Sequence, residues 1–159
     1  MIYFKETAIG KIGIEEKDGC ISKLVFENEV KKIGEKTGVY DEKSAPPVLL
    51  EAFLQLDEYL NKERTVFDLP LAPSGPPFFK KVWAALSEIP YGQTATYKEI
   101  AAVVGNPNAS RAVGSANNKN PISIFIPCHR VIGSNGKLVG YAAGTDLKQK
   151  LLMLEQRTA

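Results

Sequence analysis

Short apolar runs separated by polar turns dominate the first third of the chain. Residues 1–7, 11–17 and 20–27 are rich in Ile, Val, Phe and Tyr, which predicts three strands. Asp18-Gly19 lies between the second and third runs and is typical of a tight hairpin. The chain is therefore expected to open with a small β-sheet.

A helix is predicted next, from Pro46-Pro47 to about residue 60. Its apolar positions recur at i, i+4, i+7 and i+11 and share one face: Leu49, Phe53, Leu56 and Leu60. Residues 31–45 before it are polar and contain glycine, which predicts a loop. Residues 65–69 after it favour another strand.

Proline and glycine cluster without periodicity at residues 71–77, which indicates a linker. We place a domain boundary at about residues 73–76. This predicts an N-terminal α/β support domain of residues 1–73 and a functional C-terminal domain of residues 77–159.

The C-terminal half is mostly helical in pattern. Phe79, Val82, Trp83 and Leu86 form one apolar stripe. Thr96 and Glu99 have the spacing of a capping box and predict a short helix through Val104, closed by Gly105. A third helix is expected to begin near Ser110, capped by Asn108 or by Ser110 itself.

Helix, glycine-containing turn and helix follow one another in the order of a helix-turn-helix, although any αα-corner has the same pattern. The second helix is narrow, because it is rich in small residues: Ala109, Ala112, Gly114, Ser115 and Ala116. Arg111 is the one long cation near its start. This favours close approach to a nucleic-acid groove, and the alternative is a surface arginine on a tightly packed helix.

The apolar run at residues 122–126 predicts a buried strand that stops at Pro127. Cys128 and His129, the only histidine of the chain, follow directly. A nucleophilic cysteine reacts as its thiolate and therefore needs a base or a proton path nearby. The alternative is an inert, buried cysteine.

Residues 131–139 predict a hairpin that turns at Asn135-Gly136, followed by a loop of small residues around Tyr141 at 140–144. The last helix is expected at residues 146–156. Leu147, Leu151 and Glu155 are spaced i, i+4, i+8, which places a carboxylate on the apolar stripe. Either Glu155 reaches solvent near the helix end, or it meets an internal partner, for which His129 is suitable.

Composition narrows the class of protein. The chain of 159 residues has enough apolar content for a substantial core, and the pattern as a whole predicts an α+β fold. No apolar run approaches the length of a membrane span, and the first residues lack a signal-peptide pattern, so we expect a cytoplasmic protein. Two cysteines and one histidine indicate neither a disulfide framework nor a zinc site, and a net charge of +2 does not by itself indicate nucleic acid.

Several motifs in residues 77–155 together resemble the 6-O-alkylguanine-DNA alkyltransferases, also called methylated-DNA–protein-cysteine methyltransferases. They are Ile89-Pro90-Tyr91-Gly92, Tyr97, Ala101, Arg111-Ala112-Val113-Gly114, Asn120-Pro121 and the run from Ile126 to Val131, in which Pro-Cys-His-Arg-Val is highly specific.

The resemblance implies a monomeric DNA repair protein that needs no cofactor or metal. Its cysteine, matched by Cys128, takes the alkyl group from the 6-oxygen of guanine in double-stranded DNA, once per molecule. His129 would receive the thiol proton through an ordered water. Glu155 would orient the imidazole, and Asn120 would brace the site.

The resemblance also implies that the damaged base rotates out of the duplex from the minor-groove side. Arg111 would fill the gap in the base stack, and Tyr97 would donate its hydroxyl to the extruded guanine. Backbone groups at Cys128, Val131 and Ala142 would contact the base. The other implied DNA contacts are Ser110, Ala112, Gly114 and Tyr141.

Three other classes of protein compete with this interpretation. A lesion binder without chemistry leaves Cys128 unexplained, and a transcription regulator leaves the thiol, histidine and carboxylate unexplained. A cysteine hydrolase needs an oxyanion hole, which nothing in the sequence marks.

Overall fold

The computed structural model describes residues 1–29, 36–136 and 144–156, without the side chain of Thr145. The chain divides into two units, Met1–Pro73 and Ser74–Ala159. A sheet comes first and helices dominate afterwards, so the predicted α+β class is confirmed. Among the described residues, no helix combines the length and apolarity that crossing a bilayer requires.

The first unit is built on a four-stranded sheet with the order β3-β2-β1-β4. Its strands are β1 (Ile2–Thr7), β2 (Gly10–Lys17), β3 (Cys20–Phe26) and β4 (Thr37–Val39). The first three pair antiparallel, whereas β4 is parallel to β1. The β2–β3 hairpin turns at Asp18 and Gly19, whose φ angles of 53° and 81° suit the type I′ turn typical of Asp-Gly.

Helix α1 (Pro47–Leu60) packs against β2 and β3. The predicted stripe of Leu49, Phe53, Leu56 and Leu60 is buried, together with Ile12, Ile14, Ile21 and Leu24 of the sheet. Each such side chain contributes about 1.5–3 kcal/mol through the apolar surface that it removes from water. These side chains form the apolar core of the unit.

Two predictions in this unit are wrong. Residues 37–39 lie in the predicted loop but form β4, because pairing with β1 supplies the hydrogen bonds that the local pattern does not signal. Residues 65–69 form no strand. The side chain of Gln55 instead accepts from the Asp68 amide at 2.9 Å and donates to its carbonyl at 3.1 Å, which replaces a strand ladder.

The second unit contains α2 (Pro77–Leu86), α3 (Tyr97–Val103), α4 (Ser110–Asn118) and α5 (Thr145–Gln156). The Trp83 indole donates to the Ala116 carbonyl at 2.8 Å, which ties α2 to α4. The predicted capping box is present: Thr96 accepts from the Glu99 amide at 3.1 Å and Glu99 accepts from the Thr96 amide at 3.0 Å. The turn after α3 uses Gly105 with φ 86°, so the helix-turn-helix is formed as predicted.

The cap predicted for α4 is wrong. Ala109 is the N-cap residue, without a side-chain hydrogen bond, and Ser110 is the first residue of the helix. Neither Asn108 nor Ser110 therefore takes the capping role that their residue types favour.

The apolar run at 122–126 is buried but is not a strand. Ile124 has φ 73°, and the chain folds back so that the Ile126 amide donates to the Ile122 carbonyl at 2.9 Å. The short strand β6 (Val131–Ile132) instead follows the cysteine and pairs parallel to β5 (Ala95–Thr96). The return strand predicted up to residue 139 and the loop at 140–143 lie outside the described residues.

Candidate active site

Cys128 begins a single turn of 3-10 helix, Cys128–Arg130, directly after Pro127. Its amide donates to the Ile126 carbonyl at 2.8 Å, and its Sγ lies 4.0 Å from the Ser123 hydroxyl oxygen. Only 2% of the residue is exposed. The folded-back run before the cysteine, rather than a strand, therefore sets the direction of its side chain.

Asn120 holds this folded-back run together. Its side-chain nitrogen donates to the Ile126 carbonyl at 2.8 Å, and its side-chain oxygen accepts from the Ile122 amide at 3.0 Å. One buried amide thus satisfies the two backbone groups that a strand ladder would otherwise satisfy. This is a bracing position, one step from the thiol.

Burial raises the pKa of the Cys128 thiol, while Asn120, Ser123, the cation of Lys148 and a backbone contact act in the opposite direction. Since burial is the largest effect, the resting residue is a thiol. A reaction at this sulfur therefore requires a group that removes the proton.

Glu155 is buried on α5 and accepts from two neighbours of the cysteine. Its Oε2 lies 2.6 Å from His129 Nε2, and Arg130 donates through Nε to Oε1 at 2.8 Å and through Nη2 to Oε2 at 3.1 Å. All three residues are buried. Of the two alternatives for Glu155, the internal partner is therefore correct. We call His129, Arg130 and Glu155 the carboxylate cluster.

Burial lowers the pKa of His129; Glu155 acts against this effect, and Arg130 and Lys148 reinforce it. The imidazole is therefore neutral, and the 2.6 Å contact assigns its proton to Nε2, which donates to Glu155. The other nitrogen, Nδ1, makes no hydrogen bond within the described residues. That nitrogen keeps its lone pair and can accept a proton.

Arg130 is a site residue to which the sequence analysis gave no role beyond the motif. Besides its two bonds to Glu155, it donates through Nη1 to the Ile89 carbonyl at 2.7 Å, and its guanidinium lies 5.7 Å from the centre of the Tyr91 ring. Its position between a histidine and an apolar strand was a usable signal, because a buried arginine requires a carboxylate partner.

Lys148 is the second residue that the sequence analysis missed. It is fully buried on α5, and its Nζ lies 5.9 Å from the centre of the Tyr97 ring. Burial lowers its pKa to about 8, against the opposing effect of Cys128. The predicted stripe is confirmed at Leu151 and Glu155, which are buried, but it is wrong at its first position, because Leu147 is only half-buried and Lys148 is buried instead.

The helix pair lines an open cleft of about 660 Å³. Four predicted DNA contacts are among its lining residues: Tyr97, Ser110, Arg111 and Gly114. Among the described residues that line it, Lys98 and Arg111 carry charge and none is acidic. A basic cleft with small walls suits a phosphate backbone.

Two other predicted contacts, Ala112 and Val131, do not line this cleft. Ala112 is exposed beside it, Val131 is fully buried, and Tyr141 and Ala142 lie outside the described residues. Cys128 is not among the residues that line the cleft. Nor do any three His, Cys, Asp or Glu side chains of the described residues group as metal ligands would.

By fold, the chain is a two-unit α+β protein whose second unit combines a helix-turn-helix with a buried cysteine, histidine and carboxylate. Two models of one protein family match it. The DNA-binding domain of 6-O-methylguanine DNA methyltransferase matches residues 77–157, and the ribonuclease-like domain of the same protein matches residues 2–73. The chain belongs to the 6-O-methylguanine DNA methyltransferase family, which confirms the resemblance carried by its motifs.

Individual relatives agree with this assignment. The chain is 46% identical over 152 residues to the constitutive methylated-DNA–protein-cysteine methyltransferase of Bacillus subtilis, covering 95% of this chain and 92% of that protein. It is 63% identical over 105 residues to the enzyme of that name from Methanosarcina acetivorans, covering 66% of this chain and 67% of that protein. The crystal structure of Mycobacterium tuberculosis OGT in complex with DNA is similar with a TM-score of 0.86 at 38% identity, covering 98% of this chain and 92% of that one.

Proposed function

We propose that this protein repairs DNA directly, by moving an alkyl group from the 6-oxygen of a guanine in double-stranded DNA to the sulfur of Cys128. The observation that carries the proposal is the contact between His129 and Glu155 at 2.6 Å beside the buried thiol. It provides a neutral proton acceptor of fixed orientation. The basic helix-turn-helix cleft in the same unit provides the means of binding DNA.

The transfer makes one bond and breaks one. The Cys128 sulfur attacks the alkyl carbon, a carbon–sulfur bond forms, and the bond between that carbon and the guanine 6-oxygen breaks. The thiol proton passes to Nδ1 of His129 through a water molecule, and guanine leaves with the bonding electron pair and is then protonated. The product is a thioether, which water does not cleave, so each molecule reacts once.

The carboxylate cluster stabilises the proton after it has arrived. Glu155 accepts from two nitrogens of the Arg130 guanidinium, Nε and Nη2, and it in turn fixes the imidazole through Nε2. When Nδ1 takes up a proton, the imidazolium gains a carboxylate partner that is already oriented. Asn120 keeps the Cys128 backbone in place during this change.

The target carbon is inaccessible inside a duplex, so the base must leave the stack, which costs a few kcal/mol. Arg111, exposed at the start of α4, would occupy the space left in the stack. The small residues of α4 favour entry from the minor groove and avoid base-specific contacts. Since Cys128 is 2% exposed, the groups between the cleft and the sulfur must move when the base arrives.

Intact mass spectrometry tests the proposal. After incubation with a duplex oligonucleotide that carries one 6-O-methylguanine, the protein should gain one methylene equivalent per molecule, at Cys128. Cys128→Ser should gain nothing and still bind the duplex. The matched control is Cys20→Ser, which removes the other free cysteine and should react like the wild type.

The outcome separates the competing classes. A lesion binder would show unchanged mass with every substrate. A cysteine hydrolase would consume more than one equivalent of substrate per molecule. Either result contradicts the proposal.

Base extrusion has its own test in the cleft. Arg111→Ala should slow transfer from the duplex by about tenfold, the effect of one lost contact of about 1.4 kcal/mol, and change transfer from a free 6-O-alkylguanine base much less. Lys98→Ala is the matched control, because it also removes a cation from the cleft. It should weaken duplex binding in a salt-dependent way. Equal losses of Arg111→Ala on both substrates would contradict a role in extrusion.

We expect the protein to act as a monomer, since Cys128, the carboxylate cluster and the cleft all come from one chain. Its cytoplasmic location stays a prediction.

A further inference from the structure

Asn117 is a buried residue of the helix-turn-helix whose side-chain amide lacks hydrogen bonds within the described residues. It lies near the end of α4 and is 1% exposed. Neither the nitrogen nor the oxygen of its amide makes a hydrogen bond within the described residues. A buried amide that lacks partners destabilises a fold, and an apolar residue of similar size would not carry that cost. A side chain of this kind calls for a functional explanation.

The amide lies next to Tyr97. Gly114, three residues earlier on the same face of α4, faces the tyrosine, since a methyl group at Gly114 would lie 3.9 Å from Cδ1 of the ring. Burial raises the pKa of Tyr97, the neighbouring Cys128 raises it further, and the amide of Asn117 acts in the opposite direction. An amide that lowers the pKa of a phenol presents its N–H to the phenolic oxygen.

We propose that Asn117 is a positioning residue for the Tyr97 hydroxyl, and that its amide donates to the phenolic oxygen when an extruded purine occupies the site. This inference rests on the proposed function. With its oxygen held by Asn117, Tyr97 directs its proton to the N3 acceptor on the minor-groove edge of the guanine. That donation stabilises the guanine as it leaves with the bonding electrons.

The incomplete hydrogen bonding of the resting protein follows from this role. Cys128 is buried, so the Tyr97 side of the site has to rearrange before a base can reach the sulfur. Catalytic hydrogen bonds are often long or misaligned until substrate is bound. An amide that is satisfied only in the loaded state favours that state over the resting one, which contributes to rate rather than to stability.

Asn117→Leu tests the proposal on the full-length protein, with Gln149→Leu as the matched control, because Gln149 is an exposed amide on α5 and does not line the cleft. Single-turnover transfer from a 6-O-methylguanine duplex should be about tenfold slower in Asn117→Leu, the effect of one hydrogen bond. The melting temperature should be equal to or higher than that of the wild type. The control should be unchanged in both.

A double-mutant cycle tests whether Asn117 acts through the hydroxyl of Tyr97. Tyr97→Phe should be slow, and adding Asn117→Leu to it should change the rate by less than about twofold, because the hydroxyl to be positioned is already absent. With a duplex that carries 3-deaza-6-O-methylguanine, which lacks the N3 acceptor, Asn117→Leu should match the wild type. Full additivity in the cycle, or an equal loss on the deaza substrate, would overturn the proposal.

A spectroscopic measurement is independent of the reaction. Deprotonation of Tyr97 creates an anionic oxygen to which the Asn117 amide can donate even without a bound purine. In an absorbance titration, Asn117→Leu should therefore raise the pKa of one tyrosine, and the difference should disappear in the Tyr97→Phe background. If the wild type takes up no methyl group, the proposed function fails, while the titration still tests the contact. An unchanged titration overturns the proposal. Asn117→Ala serves the same purpose if leucine prevents folding, and failure of both variants to fold would show a structural role and overturn it.

Discussion

Two groups of buried or half-buried polar side chains lie on the elements around Cys128, and they differ in how they are held. The carboxylate cluster is joined by contacts of 2.6–3.1 Å between charged or strongly polar groups. The second group is formed by Tyr97, Asn117 and Lys148, and its Asn117 amide is not held in this way. Lys148 lies 5.9 Å from the Tyr97 ring, and the Asn117 amide has no hydrogen bond within the described residues.

This difference matches two tasks of an alkyl transfer. A proton acceptor has to be in place before the reaction, so its partners are fixed in advance. The substrate side has to admit a purine that is absent in the resting state, and tightly paired groups would have to be broken first. We infer that the unsatisfied Asn117 amide is suited to a substrate that arrives later and that the carboxylate cluster is suited to rigidity.

The largest expected effect comes from breaking the rigid side. Glu155→Leu leaves the Arg130 guanidinium buried without its carboxylate, which should lower the free energy of unfolding by about 3–5 kcal/mol. Urea denaturation measures this. The double variant Glu155→Leu/Arg130→Met removes both charges, so it should recover most of the stability but not the transfer rate. A single variant as stable as the wild type would show that the cluster does not support the fold.

Next in size is a change in the pH dependence of the reaction. Arg130→Gln leaves Glu155 without its compensating cation, which raises the pKa of His129 relative to the wild type. Protonated histidine cannot accept the thiol proton, so the single-turnover rate should fall more between pH 8 and pH 6 in the variant than in the wild type. Exposed Arg111→Gln is the control and should keep the wild-type pH profile. Parallel profiles for Arg130→Gln and the wild type would contradict the role of Arg130.

Lys148→Met should change how the free energy of unfolding depends on pH. The pKa of Lys148 is about 8 in the folded protein and about 10.4 when unfolded. Between these values the unfolded state binds more protons, so stability of the wild type should rise with pH relative to the methionine variant. Below about pH 8 the variant should be the more stable by a constant amount.

Denaturation of both proteins from pH 7 to pH 10 measures this difference. Exposed Lys150→Met, on the same helix, is the matched control and should change stability little throughout. A difference between Lys148→Met and the wild type that does not change with pH would contradict the burial of a charged lysine.

The smallest effect is expected for an ion pair of the first unit. Lys5 and Asp57 form a salt bridge with side chains that are 32% and 35% exposed. Partly exposed pairs of this kind contribute about 0–1 kcal/mol, so Lys5→Met should lower the free energy of unfolding by less than about 1 kcal/mol. A loss comparable to that of Glu155→Leu would remove the distinction between buried and exposed ion pairs in this protein.

The regular parts of the fold could be predicted from the sequence, because their signals are local. The β2–β3 hairpin follows from Asp18-Gly19, and α1 follows from the spacing of Leu49, Phe53 and Leu56. The capping box of α3 depends only on Thr96 and Glu99. In each case the stabilising interaction lies within the element that the pattern describes.

The predictions that are wrong share a different cause. The strand at 37–39 exists through pairing with β1, and the run at 122–126 folds back because the Asn120 side chain takes its backbone bonds. The segment at 65–69 is held by Gln55 of α1. In all three, a partner outside the segment decides the backbone, and no local period reports it.

The sequence by itself determined which chemistry is available: one histidine beside a cysteine, a carboxylate on an apolar stripe and a narrow helix after a capped one. Only the tertiary structure decided how these groups are connected. Arg130 closes the carboxylate cluster, and Lys148 takes the buried position expected for Leu147. The Asn117 amide finds no partner in the part of the chain that the structure describes. Burial is the physical reason, because it determines which charges must be paired and which polar groups remain for a substrate, and it results from packing between distant segments.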